Sequence, residues 1–334
     1  MWTEPGGTVA TGILKGVKMK FIEKIEKAKT IAIGGHIRPD GDCVGSCMGL
    51  FGFIKDYYPE KNVTVYLEDI PDSFEYLKKE EALPKNQQRE YDLFIALDCG
   101  SIDRLGEAQE VFEKAKETIC VDHHISNTGF AAENMVRADA SSTCEILCEL
   151  LPMEKIGMFS ATAFYTGLIH DTGVFKHSNT SKKTMAIAGE LIEKGIPFGT
   201  IIDESFYMKT YHQLQIMGRC LLESIRVMNG KCIVSVVTKQ MMEFYGAKSS
   251  DLDGIIDELR TTKGVEVAIL LTEKEPLEYK VSMRSNQIVD VSRIAVFFGG
   301  GGHVRAAGCT IKGSSYDVIN NLTEHIEKQL NQEI

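Results

Sequence analysis

Between Thr30 and about Val136, short runs rich in β-branched and apolar residues, TIAIGG, NVTVYL, DLFIALD and TICVD, alternate with stretches of helical periodicity. That alternation predicts a parallel sheet with helical crossovers. Two of the runs end on acidic residues, Asp98 and Asp122, and the first runs into His36. Ligands of open α/β sheets bind beyond the carboxyl ends of the strands, so titratable groups are expected to converge at one edge. From Ser142 to Lys194 the spacing predicts helices, broken between His170 and Thr180 by a polar, turn-rich segment that contains Asp171. Gly195, Ile196 and Pro197 stop the last of them, and a helical connector follows to about Arg219. KCIVSVVT, VEVAILLT and EYKVSMRS then predict strands of a second alternating region, separated by a helix DLDGIIDEL that Ser249 or Ser250 can cap. Near the end, Ile319, Leu322, Ile326 and Leu330 recur at spacings of 3, 4 and 4, as in an amphipathic helix packed on a sheet.

Length adds a domain count. A chain of 334 residues exceeds the roughly 250 to 300 at which single cores stop growing, so two domains are expected. The expected division is an N-terminal extension over 1–18, a first domain over 19–195, a helical linker over 196–222 and a second domain over 223–334. Apolar residues make up 43% and charged residues 25%, which predicts a chain folded nearly throughout. The net charge of -10 argues against an extended nucleic-acid surface, while a small anion held by cations stays compatible. No run approaches the 18 or so apolar residues of a membrane span, and residues 1–18 lack the apolar core of a signal peptide. Nine cysteines, an odd number without a CxxC pair, give neither a zinc signature nor a disulfide framework. They are expected to be buried small hydrophobes in a reducing cytoplasm.

The candidate chemistry lies at the strand and helix exits. GHIRPDGDCVGS carries His36, Asp40 and Asp42. One imidazole and two carboxylates in a tight turn suit a divalent cation, although an Asp-Gly turn with a helix cap at Asp42 is the plainer alternative. Asp98 ends an apolar strand, where a lone aspartate often only caps the next helix. VDHHISN sets Asp122, His123 and His124 at another strand exit, and GLIHDTGVFKHSNTS sets Asp171 ahead of Thr172 and Gly173. An ordinary turn carboxylate competes as a reading of Asp171. The set tips the balance, because independent turn residues would not supply metal-type ligands at each successive exit.

In this order HxxxDxD, a strand-terminal Asp, DHH and DTG resemble the motifs of the DHH phosphoesterases, over nearly everything after Met19. FFGGGGHVRAAG is similar to the GGGH motif of the DHH-associated domain, and SMRSN to that domain's substrate-contacting arginine segment. The resemblance implies two divalent cations, Mn2+ being favoured by mixed carboxylate and imidazole ligation, with Mg2+ or Co2+ as alternatives. One ion would sit on His36, Asp40 and Asp98, and the other on Asp42, Asp98, His123 and Asp171. Asp98 and His124 would be catalytic, His124 facing the substrate phosphate, although the two histidines could exchange roles. Asp122 would orient an imidazole through its other ring nitrogen, with Thr172 in support. Asn179 and Thr180 would shape the metal loop. Arg104 is either near the site or a surface ion-pair partner, and Cys43, Lys176 and His177 occupy variable positions. Arg284, Ser285, Asn286, Gly300, Gly301, Gly302 and His303 would bind substrate, the glycines by letting backbone N–H groups approach phosphate and the two cations by charge-assisted hydrogen bonds.

The fold implied is α/β: a parallel-sheet DHH domain with flanking helices and a smaller α/β DHH-associated domain, with the active site in the cleft between them. The activity implied is that of the nanoRNase and pAp-phosphatase type. Metal-activated water would hydrolyse oligoribonucleotides of about two to five nucleotides to mononucleotides, and 3'-phosphoadenosine 5'-phosphate (pAp) to AMP. The rivals are a cyclic-dinucleotide or linear pApA and pGpG phosphodiesterase, a manganese pyrophosphatase, which the GGGGHVRAAG segment disfavours, and a RecJ-type exonuclease, for which little chain is left over. A nucleotide-binding sensor is the non-enzymatic alternative. Short RNA and small nucleotides are the expected partners, with no long duplex and no membrane, in the cytoplasm. A homodimer would be in keeping with the family.

Overall fold

In the computed structural model, which describes residues 7–84 and 90–331, the apolar runs of the first half become β1 (Thr30–Gly34), β2 (Asn62–Tyr66), β3 (Leu93–Leu97) and β4 (Glu117–Asp122). A fifth strand, β5 (Glu133–Val136), has no apolar run and was not legible; half-exposed edge positions need none. All five pair in parallel in the order β2-β1-β3-β4-β5. The helices of this unit are α1 (Gly7–Lys27), α2 (Gly41–Tyr57), α3 (Gln109–Lys114), α4 (Thr143–Leu150), α5 (Met158–Asp171), α6 (Lys182–Glu193) and α7 (Phe198–Ile202). Of the extension expected over 1–18, residues 7–18 continue α1 and residues 1–6 lie outside the described residues.

Both faces of the sheet are covered, as parallel sheets require. Ile31 and Ile33 face a core shared with Phe21, Val44, Met48 and Phe164, while Ala32, Phe94 and Cys120 pack with Phe112 on the other side. Helices α2 and α5 approach each other at backbone distance. A Cβ built on Gly45 would lie 2.4 Å from the Ala163 carbonyl oxygen, and one on Gly49 would lie 2.3 Å from the Phe164 ring. All nine cysteines are buried and free.

The chain divides by its contacts into Met1–Met208 and Lys209–Ile334, so the boundary falls inside the helical stretch expected as a linker. The second unit holds α8 (Tyr211–Leu222), β6 (Ile225–Val227), β7 (Cys232–Val237), α9 (Lys239–Tyr245), α10 (Ile255–Arg260), β8 (Val267–Glu275), β9 (Glu278–Ser285), α11 (Val291–Phe297), β10 (Gly301–His303), β11 (Ala306–Lys312) and α12 (Ser315–Leu330). Its sheet runs β10-β11-β9-β8-β7-β6, with only β7 and β8 parallel. Ile319, Leu322 and Ile326 of α12 are buried against one face, and Ile216, Ile255 and Leu259 cover the other. The helix expected over DLDGIIDEL is split. Gly254 takes φ +83 and becomes the N-cap of α10, leaving Ser249–Leu252 as a separate 3-10 turn, so neither Ser249 nor Ser250 caps the longer helix.

Candidate metal centre

Asp40 is the N-cap of α2: one of its carboxylate oxygens accepts the backbone N–H groups of Asp42 and Cys43, both at 3.1 Å. The other faces His36, whose Nε2 is 3.7 Å away. His36 Nδ1 lies 2.9 Å from its acceptor, the Ile37 carbonyl oxygen. That bond fixes the tautomer and leaves the Nε2 lone pair for the site. Asp98 leaves β3 in the left-handed region, φ +55, and is not a helix cap. Its carboxylate is 3.5 Å from His36 Nε2, 3.6 Å from His123 Nε2 and 3.5 Å from His124 Nδ1, and it accepts the Thr143 hydroxyl at 3.1 Å. Thus Asp98 is the shared carboxylate of the three imidazoles.

Asp42, in the first turn of α2, is fully buried. The N-terminus of α4 holds it: the N–H groups of Thr143 and Cys144 donate to its two oxygens at 2.6 and 3.0 Å. His123 Nε2 lies 3.0 Å from Asp171 at the end of α5. Asp42, His123 and Asp171 can each turn one ligand atom to a common point. His124 is placed differently. Its Nδ1 is 2.7 Å from the buried Asp122 carboxylate, which also accepts the His123 and His124 N–H groups and, at 2.6 Å, the Asn127 amide. Its Nε2 is thereby left to the outside, on a side chain 35% exposed.

The electrostatics match a cation site. Burial, reinforced by the charges of Asp98 and Asp171, pushes the Asp42 carboxyl well above the usual carboxylate range. Burial likewise raises Asp171. Burial works against the imidazoliums of His36 and His123, but their carboxylate partners outweigh it, raising His36 and pushing His123 up to about 10. Carboxylates and imidazoles that hold protons this tightly are groups short of positive charge, and a divalent cation supplies it in place of the protons. Cys43 also comes near His36 and Asp98, but burial keeps it a thiol and its sulfur is spent on the His36 backbone N–H. Asp40 fits the ligand role better.

Around this cluster the remaining residues are structural. The Thr172 hydroxyl donates to the Leu168 carbonyl at 2.6 Å and accepts the Phe175 N–H. Asn179 donates to the Asp171 and Ser141 carbonyls, and His177 packs over Gly173. The Arg104 carbonyl accepts the Ile37 N–H at 2.8 Å, so its backbone props the His36 turn. His170 lies on Gly41 and against Phe74 and Phe206; burial pushes it down to about 4. Thr143 and Asn127 were not singled out from sequence. Asn127 stands in VDHHISN in plain view, whereas Thr143 reaches Asp98 only through the tertiary fold.

In the second unit, strand register sets His303 opposite Ala306 and Ala306 opposite Arg284. Directly opposed residues point to one face, so the Arg284 guanidinium and the His303 imidazole share a row two strand spacings long, about 10 Å, with a small residue between. Gly300 and Gly302 are required: a Cβ on either would meet the facing strand's backbone at 2.2 or 2.5 Å, and Gly302 has φ +142. Gly301 is open. Ser285 is buried, and the Asn286 amide is engaged by Arg260 and the Val265 carbonyl. Glu266 accepts the N–H groups of Gln287, Ile288 and Val289, and Arg305 donates to the Gln287 and Val289 carbonyls. Together they hold the segment that follows Arg284.

Residues 30–168 match the model of the DHH family, N-terminal domain, and residues 229–332 that of the DHHA1 domain. The chain is 30% identical over 324 residues to the bifunctional oligoribonuclease and PAP phosphatase NrnA of Thermus thermophilus, covering 94% of each chain. It is 26% identical to the protein of that name from Bacillus subtilis, covering 93% of this chain and 98% of that one. An exopolyphosphatase-related protein from Bacteroides fragilis superposes with a TM-score of 0.81 at 25% identity, over 94% of this chain and 96% of that one.

Proposed function

Because the chain belongs to the DHH family and carries a DHHA1 domain behind the DHH domain, we propose that it is a metal-dependent hydrolase of phosphoester bonds that degrades short oligoribonucleotides to mononucleotides and converts pAp to AMP. The observation that carries this reading is the convergence of His36, Asp40, Asp42, His123 and Asp171 around one carboxylate, Asp98, at the ends of β1, β3, β4 and α5 and the start of α2. The likeness to the NrnA proteins over nearly the whole chain supports the choice of substrate.

In this reading His36, Asp40 and Asp98 hold one divalent cation, and Asp42, Asp98, His123 and Asp171 hold a second, Mn2+ being the better match to imidazole and carboxylate donors. Such ions lower the pKa of water and neutralise charge on the phosphoryl oxygens. The protein's own share is orientation. Asp122, locked by three hydrogen bonds from its own turn and one from Asn127, holds His124 so that Nε2 addresses a phosphate oxygen. Arg284 and His303, in their row, bind the nucleotide's anionic groups, and Gly301, open at the start of β10, leaves room for it.

The test is product formation from 5'-labelled RNA dimers to 24-mers, pAp, cyclic di-AMP and pyrophosphate, with Mn2+ and with EDTA. Metal-dependent turnover of the short oligomers and pAp is expected. Activity confined to cyclic dinucleotide, long strands or pyrophosphate would overturn the proposed substrate, and bound Mn2+ without any turnover would overturn the enzyme.

A further inference from the structure

The sheet of the second unit presents more than the row of Arg284 and His303. Burial alternates along β9 and β11: Tyr279, Val281, Met283, Ala307, Cys309 and Ile311 are buried in the core shared with α12, and the residues between them turn to the opposite face. On that face Ile216, Ile255 and Leu259 pack with Ile233 of β7 and with Ala268 and Leu270 of β8, in a cluster that takes in no residue of β9 or β11. Register orders what is left in three rows. The first is Arg284, Ala306 and His303, the second is Ser282, Gly308 and Gly301, and the third is Lys280 and Thr310. None of the three holds a carboxylate, although acidic residues outnumber basic ones 47 to 37 in the chain. Lys280 and Thr310 are exposed. Lys280 makes no ion pair among the described residues, whereas Lys312, one row further on, is paired with Glu278 at 3.6 Å.

We propose that these rows form a track for a single strand of RNA, in which Lys280 and Thr310 hold a phosphate two places beyond the one at Arg284 and His303. This rests on the hydrolase reading, which gives the first row to an anionic group of the nucleotide, and carries it to substrates longer than a dinucleotide. Residues of one face recur about every 6.6 Å along a strand, a step of the same order as the repeat between phosphates of an extended oligonucleotide. The first and third rows, about 13 Å apart, therefore match phosphates two places apart. The row between them is a floor: Gly308 and Gly301 carry no side chain, and nothing lies within 4 Å of a Cβ built on Gly301. The Ser282 hydroxyl, without a hydrogen-bond partner among the described residues, is the donor left for the intervening phosphate. Cations on either side of a low floor, with no carboxylate to repel the strand, suit a backbone held without regard to its bases. Counting the cleaved phosphate first and the one at Arg284 second, the fourth, which a 5'-phosphorylated tetramer is the shortest to carry, meets Lys280.

Fluorescence anisotropy tests the track, with the full chain in EDTA, where nothing is turned over, and 5'-phosphorylated RNA dimers and tetramers labelled at the 3' end. Wild type is expected to bind the tetramer the more tightly. Lys280→Glu should weaken the tetramer at least about fivefold and the dimer by less than about twofold. Lys280→Gln should lower the salt slope of tetramer binding by about 0.7, and Lys280→Arg should keep it. Lys328→Glu, on α12 behind the sheet, makes the same change in net charge and is expected to alter neither affinity. Equal wild-type affinity for the two lengths, a tetramer preference that survives in Lys280→Glu, or equal losses for dimer and tetramer in that variant would each overturn the proposal. Turnover with Mn2+ is a separate readout. Its absence would sink the hydrolase and leave the binding result standing, while turnover without any length preference in binding would sink the track alone.

Discussion

Asp98→Asn separates metal binding from folding. Asparagine tolerates the left-handed backbone at this position, φ +55, and can still accept the Thr143 hydroxyl. In the metal-free protein the change removes repulsion toward Asp42 and Asp171 and attraction toward His36, His123 and His124. These oppose each other, so stability should move by no more than about 1 kcal/mol. Metal binding has no such compensation. Loss of an outer-shell partner alone costs roughly 10- to 100-fold in affinity, and a carboxylate within 3.6 Å of three imidazoles should cost at least the upper figure. At a Mn2+ concentration near 100 times the wild-type Kd, the wild type gains about 2.7 kcal/mol and the variant about 0.4. For a unit of this size that is a rise in Tm of about 5 to 11 °C against 1 to 2 °C. Differential scanning fluorimetry with EDTA and with Mn2+ reads both numbers, and turnover of a labelled RNA dimer should fall below detection. Equal Mn2+ shifts in the two proteins, or turnover within tenfold of wild type, would refute the reasoning.

Three further outcomes follow from other contacts. Gly45→Ala forces a Cβ onto the Ala163 carbonyl and should destabilise the first unit by about 1 to 3 kcal/mol in urea titrations; no change would show that α2 and α5 can part freely. Glu266→Gln removes the charge that gathers the Gln287, Ile288 and Val289 N–H groups and should cost about 2 to 4 kcal/mol in the second unit, a loss below about 0.5 counting against it. His170 is held at about 4 against an ordinary 6.5 by burial. A depressed base stabilises the fold above the unfolded value and loses that contribution as pH falls through the folded one. Metal-free wild type should therefore lose about 2 to 3 kcal/mol more than His170→Gln between pH 6.5 and 4, and parallel curves would disprove the assignment.

What sequence revealed follows burial. The runs TIAIGG, DLFIALD and TICVD are central strands whose residues face packed helices on both sides, so the apolar signal is strong and the strands appear where expected. β5 is half exposed, β6 and β10 are three residues each, and edge positions of that kind leave no run to read. The cap of α10 was missed because Gly254 interrupts an apolar spacing that looked continuous. The acidic and imidazole residues at the strand exits were readable because the chain passes the same edge repeatedly. The grip of α4 on Asp42, a hundred residues away in sequence, left no local trace.

The glycine contact between α2 and α5 has a consequence for how this protein can change over generations. Asp40 and Asp42 begin one helix and Asp171 ends the other, so the spacing of these carboxylates is set by two backbones lying directly on each other. No bulky side chain intervenes at Gly45 whose replacement would widen or narrow that gap. Elsewhere in the core, swaps among leucine, isoleucine and methionine can accumulate while the carboxylates keep their separation, which lets lineages diverge widely in composition yet inherit one fixed spacing.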